Sequence, residues 1–233
     1  MFCSTRRGGW SAPPFDSLNL GDHLGDEPQA VEANRRLLAD QWGMQAVFLK
    51  QVHGTRLVEL NHHTPHGAEA DACWTREQGL ACTIMVADCL PLVFFHPSAK
   101  LVAAAHAGWR GLAAGVIEQT LSVFKPWGDL AAVKVWLGPC IGPGVFEVGE
   151  DVKEAFTAGG AGCEEAFQAL PARHKYLANL PGLARQRLLA AGVLEVQGND
   201  GSLSWCTFSR PDTYFSHRRD RLSGRFAVGI GLA

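Results

Sequence analysis

The sequence predicts an α+β fold: one domain, residues 1–233, with mixed β-sheets flanked by helices and a site at the strand ends. Three observations predict it. Short runs rich in Val, Ile, Leu and Phe follow one another between residues 46 and 105, each of strand length. Helix-periodic segments stand around this block without the regular strand–helix alternation of a doubly wound sheet. Apolar residues make up 47% of the chain, enough to bury a sizeable core.

The first helix is expected at 27–41. Asp26 is its expected cap, Gln29 falls at the capping-box position, and Pro28 suits the first turn. Ala30, Ala33, Leu37 and Leu38 mark the stripe to be buried. AVFLKQV and RLVEL read as short strands on either side of the turn-like HGT. LACTIMV, PLVFF and LVAAA follow as strands, separated by ADCL and HPSAK. Residues 111–125 read as a helix, with Ala114, Ile117, Leu121 and Phe124 on one side. AAVKVWL is the next strand, and the prolines and glycines of GPCIGP enforce an irregular loop after it. Segments 149–158 and 180–191 read as helices, the second capped by Asn179 with Pro181 in its first turn. GVLEV is a strand, and TYFSH and RFAVGIG read as a terminal pair joined through RRDRLSG. TAGGAGCEE, at 157–165, is the best loop candidate.

A net charge of −2 gives no basic footprint for nucleic acid. The N-terminus, MFCSTRRGGW, has no apolar h-region. The most apolar stretch is broken by Asp88 and Pro91 and is too short to span a bilayer, and neither end carries a lipidation motif. Seven cysteines with no CxxC spacing suit reduced thiols in a cytoplasmic protein, with Cys82 as core filler.

Three potential metal ligands each sit in a Gly- or Pro-marked setting at the end of an apolar run. They are His53 in LKQVHG, Cys89 in MVADCLP and His106 in LVAAAHAGWRG. Two imidazoles and a thiolate suit Zn²⁺, and three protein ligands leave a fourth tetrahedral position open, as in a catalytic site. Copper binds such donors at least as tightly. The spacings, 36 and 17 residues, are not finger-type, so spacing alone is weak evidence. A zinc centre activates water, which suits attack on an electron-poor carbon such as C6 of adenine. That chemistry needs a carboxyl group to carry protons, and Asp71 in EADA and Asp88 beside Cys89 are the candidates. Their plainer roles are to cap a turn and to accept local backbone amides.

The same atoms support a metal-free chemistry, with Cys89 as nucleophile, His106 as base and Asp71 orienting it. The residues leave both open. Arg110 in GWRG, Arg35 in ANRR and Arg218 in SHRRD are candidates for binding an anionic substrate group, Arg110 at a helix N-terminus. For any one arginine a solvated surface position is the plainer reading. Trp109 stacks on a base or packs in the core. Cys140 and Glu147 are further candidates near the site, and His62, His63 and His66 read as a solvent-exposed loop.

The combination STRRGGWS, SLNLGDHLGD, AVEANRR, KQVHG, EADA, ADCLP, HAGWRG, GPCIG and YFSHRRD followed by GR resembles the bacterial laccase-domain family. Its members are also described as polyphenol oxidases, purine nucleoside phosphorylases and peptidoglycan editing factors. The resemblance covers nearly the whole chain, and ADCLP followed by HAGWRG is its most specific part. It implies an α/β/α-type domain with zinc held by His53, Cys89 and His106. It implies phosphorolysis of adenosine, inosine and 5′-methylthioadenosine, and hydrolytic deamination of adenosine, with purine nucleosides and phosphate as the small-molecule partners of a monomer or small homo-oligomer. The alternatives are a cysteine hydrolase editing mis-incorporated amino acids in peptidoglycan precursors and a copper-dependent polyphenol oxidase. The family often has an aspartate where this chain has Asn179. A multicopper site needs paired HxH ligands, which the chain lacks. It also lacks the HxE and PCxxC of cytidine deaminases.

Overall fold

The computed structural model describes residues 1–158 and 163–233, so the centre of the loop expected at 157–165 lies outside the described residues. Three sheets form. The first contains β1 (Phe2–Cys3), β2 (Gln45–Phe48), β5 (Leu80–Val86) and β13 (Phe226–Gly231), in the order β1-β13-β5-β2. The second contains β3 (Leu57–Glu59), β4 (Ala72–Thr75), β6 (Leu90–His96), β7 (Leu101–Ala107), β8 (Lys134–Leu137) and β12 (Glu195–Gly198), in the order β12-β8-β6-β7-β4-β3. The third is a small antiparallel sheet of β9 (Glu147–Val148), β10 (Phe167–Leu170) and β11 (Lys175–Ala178). The helices are α1 (Pro28–Trp42), α2 (Trp109–Ala114), α3 (Val116–Leu121), α4 (Glu150–Thr157), α5 (Leu180–Ala190) and α6 (His217–Asp220). Both large sheets are mixed: β5 pairs parallel to β2 and antiparallel to β13, and β8 pairs parallel to β12 and antiparallel to β6. The expected α+β class with mixed sheets is what forms.

The two large sheets pack face to face. Val47, Cys82, Ile84, Val93, Val102, Phe226 and Val228 fill the space between them. On the far side of the six-stranded sheet, Leu92, Phe94 and Ala103 meet Leu112, Ile117, Leu121 and Leu183 of α2, α3 and α5. On the far side of the four-stranded sheet, Leu38 of α1 covers Phe48, Met85 and Ala227. Each large apolar side chain buried this way contributes about 1.5–3 kcal/mol. Two sheets, rather than the single one of an α/β/α sandwich, therefore lie between the helix layers. Because both faces of each sheet are covered, β5 and β7 are buried at every position instead of alternating with polar residues.

Several elements differ from expectation, each for a local reason. Helix α1 starts at Pro28 with Glu27 as its cap residue, while Asp26 accepts the Glu27 amide and the Asn19 side chain instead of capping. Its buried stripe is Val31, Asn34 and Leu38: Leu38 is buried as expected, whereas Ala30, Ala33 and Leu37 are only half-buried. Asn34 belongs there because its amide holds the N-terminal segment, bonding Ser11, Ser17 and Asn19. The helix expected at 111–125 is two helices broken at Gly115, whose φ of 99° is outside any helix. AVFLKQV and RLVEL supply β2 and β3 to different sheets, so HGT is the crossing between layers. TYFSH is not a strand: Phe215 is fully buried, Ser216 caps α6, and β13 pairs with β1 and β5. Helix α5 begins as expected, with the Asn179 side chain accepting the Gly182 amide. Among the described residues no helix is long and apolar enough to cross a membrane.

Candidate metal centre

The three expected ligands meet at one rim of the interface between the large sheets. Along β7 the two-residue period puts Val102, Ala104 and His106 on the face turned to the four-stranded sheet. His106 stands near the end of the strand. At this rim β5 turns through Ala87 and Asp88 to Cys89, which precedes β6. Because Leu90 pairs with Ala107, Cys89 comes opposite Gly108. The chain after β2 completes the group with His53, held at a φ of 62°.

Asp71 sets this arrangement. Pairing of β4 with β7 brings it beside His106, whose amide donates to the Asp71 carbonyl at 2.7 Å and whose Nδ1 lies 2.8 Å from Oδ1. The same carboxyl accepts three successive amides: Val52 at 3.1 Å, His53 at 2.8 Å and Gly54 at 2.7 Å. One fully buried side chain therefore shapes the His53 turn and orients the His106 ring.

The donor set fits a metal. With Nδ1 of His106 on Asp71, its Nε2 is left for an ion, the usual pairing of a ligand histidine with a carboxyl. Donor atoms of His53, Cys89 and His106 all lie within 4.8 Å of one another, with Cys89 Sγ 3.7 Å from His53 Nε2. A tetrahedral ion with Zn–S and Zn–N bonds of about 2.3 and 2.0 Å separates its donors by about 3.3–3.6 Å. Among the described residues no other group of donors meets in this way.

The charges follow from the contacts. Burial pushes the Cys89 thiol up, but His106 and His53 beside it outweigh burial and bring it down to about 6. Burial pushes the His106 imidazole down, but Cys89 and then Asp71 outweigh burial and raise it to about 9. Asp71 is held below the usual carboxylate value, since the His106 and backbone hydrogen bonds outweigh its burial. The metal-free site is thus a thiolate, an imidazolium and a carboxylate in series.

A cavity of about 390 Å³ opens over these residues, a size suited to a small-molecule site. Asp88, Trp109, Arg110 and Arg218 line it. Arg110 is exposed and lies over the Trp109 ring at 4.3 Å. Helix α2 is only six residues long, and a Cβ on its cap residue, Gly108, would meet His53 and Cys89 at 2.8 and 3.0 Å rather than open space. Arg35 lies elsewhere: it pairs with Asp22 at 3.2 Å, bonds the Leu20 carbonyl and covers the Phe48 ring. The carboxyl of Asp88 accepts the Thr207 hydroxyl and the Arg218 amide, both at 2.6 Å, in place of local amides. Cys140 is packed under the loop with its thiol against Asn199, and Glu147 pairs with Arg173. His62, His63 and His66 are exposed, as expected for their loop.

Sequence reasoning passed over Gln51, Phe146, His217 and Arg225, which also line the cavity. Arg225 had a usable signal. It immediately precedes Phe226, which pairs with Val86 at the end of β5, so its side chain emerges beside the ADC turn. Gln51 is held by both its amide atoms to the Met85 backbone.

A family model described as multi-copper polyphenol oxidoreductase laccase matches residues 1–233. The chain is 47% identical over 233 residues to the purine nucleoside phosphorylase YfiH of Escherichia coli, covering 98% of this chain and 92% of that one. It is 48% identical over 229 residues to a purine nucleoside phosphorylase of Pseudomonas aeruginosa, covering 98% and 91%. Among solved structures, a Neisseria meningitidis protein superposes with a TM-score of 0.92 at 41% identity, covering 99% of this chain and 92% of that one. A hypothetical protein YfiH of Bacillus licheniformis gives 0.93 at 30% identity, covering 99% and 91%.

Proposed function

We propose that this chain, which belongs to the multi-copper polyphenol oxidoreductase laccase family, is a zinc-dependent purine nucleoside phosphorylase. The observation that carries the reading is the His53–Cys89–His106 donor set at the base of a nucleoside-sized cavity with arginines in its wall. The names of its relatives in Escherichia coli and Pseudomonas aeruginosa support the same substrate class. His53, Cys89 and His106 hold the metal, and copper is the competing ion for the same donors. Bound there, the metal supplies a Lewis-acid centre at the cavity base.

The chain's own residues do the rest. Asp71 fixes the two histidines through four hydrogen bonds and holds its position without a free oxygen. That makes it an orienting group rather than a proton carrier. Arg110, Arg218 and Arg225 bring positive charge to the wall, where phosphate attacks C1′ of the ribose as the bond to the purine breaks. Trp109 and Phe146 give the base apolar surface. Adenosine, inosine and 5′-methylthioadenosine share the purine and the reacting C1′, so one site serves all three. Hydrolytic deamination of adenosine is proposed as a second reaction of this cavity. We place the protein in the cytoplasm, where its substrates and reduced thiols coexist. The donor chemistry argues against a four-electron oxidase, because no HxH pair occurs in the sequence for a trinuclear cluster.

A second reading has one observation in its favour: the Cys89–His106–Asp71 series has the charges of an activated thiol. It makes the protein a cysteine hydrolase acting on peptidoglycan precursors. The deciding experiment starts with metal content of the untagged protein and its His53→Ala, Cys89→Ala and His106→Ala variants. It continues with adenosine or inosine and phosphate. One zinc per chain, lost in each variant, with phosphorolysis abolished by chelation and restored by zinc, is the expected result. No free base and no deaminated product at high concentrations of zinc-loaded enzyme would refute it. Activity on peptidoglycan precursors that survives chelation but not Cys89 alkylation would establish the second reading.

A further inference from the structure

We propose that Asp88 is a positioning residue that holds Arg218 in place for inorganic phosphate, rather than a carrier of protons. The proposal rests on the phosphorylase reading and deepens it. Asp88 has a φ of 94°, which a side-chain-bearing residue adopts only where its surroundings impose it. Each of its acceptors serves a different segment. Oδ1 takes the Thr207 hydroxyl, Oδ2 takes the Arg218 amide, and the backbone carbonyl takes the Ile141 amide at 2.9 Å. Three stretches remote in sequence are thereby tied to the residue before Cys89.

Helix α6 shows what this achieves. It has four residues, too few to fix itself. Arg219 anchors it from one side, donating to the carbonyls of Thr207, Phe208 and Tyr214. Asp88 anchors it from the other through the Arg218 amide. Arg218 is thus turned to the cavity, where the Glu147 carbonyl takes one guanidinium nitrogen at 2.9 Å. Among the described residues the other donors of the fork have no hydrogen-bond partner, which leaves them for an anion. With both carboxyl oxygens of Asp88 already occupied, this geometry favours holding over proton transfer.

The test uses the zinc-loaded enzyme, varying phosphate and inosine separately, with metal content measured for every variant. Asp88→Ala is expected to raise the KM for phosphate at least about tenfold, the size of losing hydrogen bonds to a charged group, with the KM for inosine within about twofold. Asp88→Asn is the informative partner. Its amide can donate to the Thr207 oxygen and accept the Arg218 amide, so it keeps the geometry without the ionisable group. It is expected to recover most of the loss. Thr207→Val, which changes no residue of the Cys89 turn itself, is expected to raise the phosphate KM by about threefold and decides the matter if Asp88→Ala does not fold. An Asp88→Asn enzyme with kcat abolished and phosphate KM unchanged would make Asp88 a proton carrier and overturn the proposal. So would equal changes in both KM values, or an unchanged phosphate KM in Thr207→Val. A wild-type enzyme that performs no phosphorolysis would overturn the underlying reading and this proposal together, a result distinct from the others.

Discussion

Asp71 carries more of this site than any ligand does, because an oxygen-only side chain among four donors can bend a loop and aim a ring at once. The charge series it ends has a consequence for metal binding. In the metal-free protein the Cys89 thiol loses its proton above about 6, and His106 keeps its proton up to about 9. A metal takes a thiolate and a neutral imidazole. Between those two values the sulfur is ready and the His106 proton must leave. Binding then releases the His106 proton, which makes affinity rise with pH by about tenfold per unit. Above the upper value the dependence flattens, since His106 is already neutral. Below the lower value the Cys89 proton must leave as well, and the slope steepens. Chelator competition across roughly pH 5.5–9.5 measures the slope, and titration in weak buffer counts the proton. A flat affinity over the middle of that range would mean that the thiolate–imidazolium pair does not exist.

At the scale of elements, the decisive position is the junction of β7 with α2. Gly108 has φ −63° and ψ 160°, a conformation open to any residue, so its lack of a side chain matters for space alone. A methyl group there would stand 2.8 Å from His53 and 3.0 Å from Cys89. Gly108→Ala should therefore displace ligands while leaving strands and helices intact. The expected result is metal binding at least about tenfold weaker, with an unchanged circular dichroism spectrum, since small shifts of orienting groups cost that much. Metal binding equal to wild type would show that the ligands do not converge there.

The same junction shows what the sequence makes legible. The runs LACTIMV, PLVFF and LVAAA mark β5, β6 and β7 almost to the residue, because a strand covered on both faces is a continuous apolar run. The three ligands were visible because each ends or follows such a run. The break at Gly115 was not, since a helix-long apolar stripe continues through it. Nor were β4, β9, β10 and β11, at most four residues each and too short to show a period, so that pairing rather than propensity makes them strands. Arg35 looked like Arg218 in composition. Only packing distinguishes them, one paired with Asp22 over Phe48 and the other facing the cavity.

At the scale of the molecule, the ligands belong to different layers. His53 follows β2 of the four-stranded sheet, His106 lies in β7 of the six-stranded sheet, and Cys89 is on the turn by which the chain leaves one sheet for the other. A bound ion would therefore join the two sheets at one rim, where among the described residues no disulfide makes a covalent tie. Separation of the sheets would break the proposed donor set, so a metal held there would bind the folded state and have no equivalent site in the unfolded one. A ligand present at a thousand times its dissociation constant then adds about 4 kcal/mol. For a chain of this length each kcal/mol moves the unfolding midpoint by about 2–4 °C. Zinc-loaded protein should accordingly melt about 8–16 °C above the chelated form, and Cys89→Ala should melt at one temperature with or without zinc. Calorimetry on the four samples measures both differences. A zinc shift that persists in Cys89→Ala would place the stabilising ion elsewhere, and the joining of the sheets would then have to come from apolar packing alone.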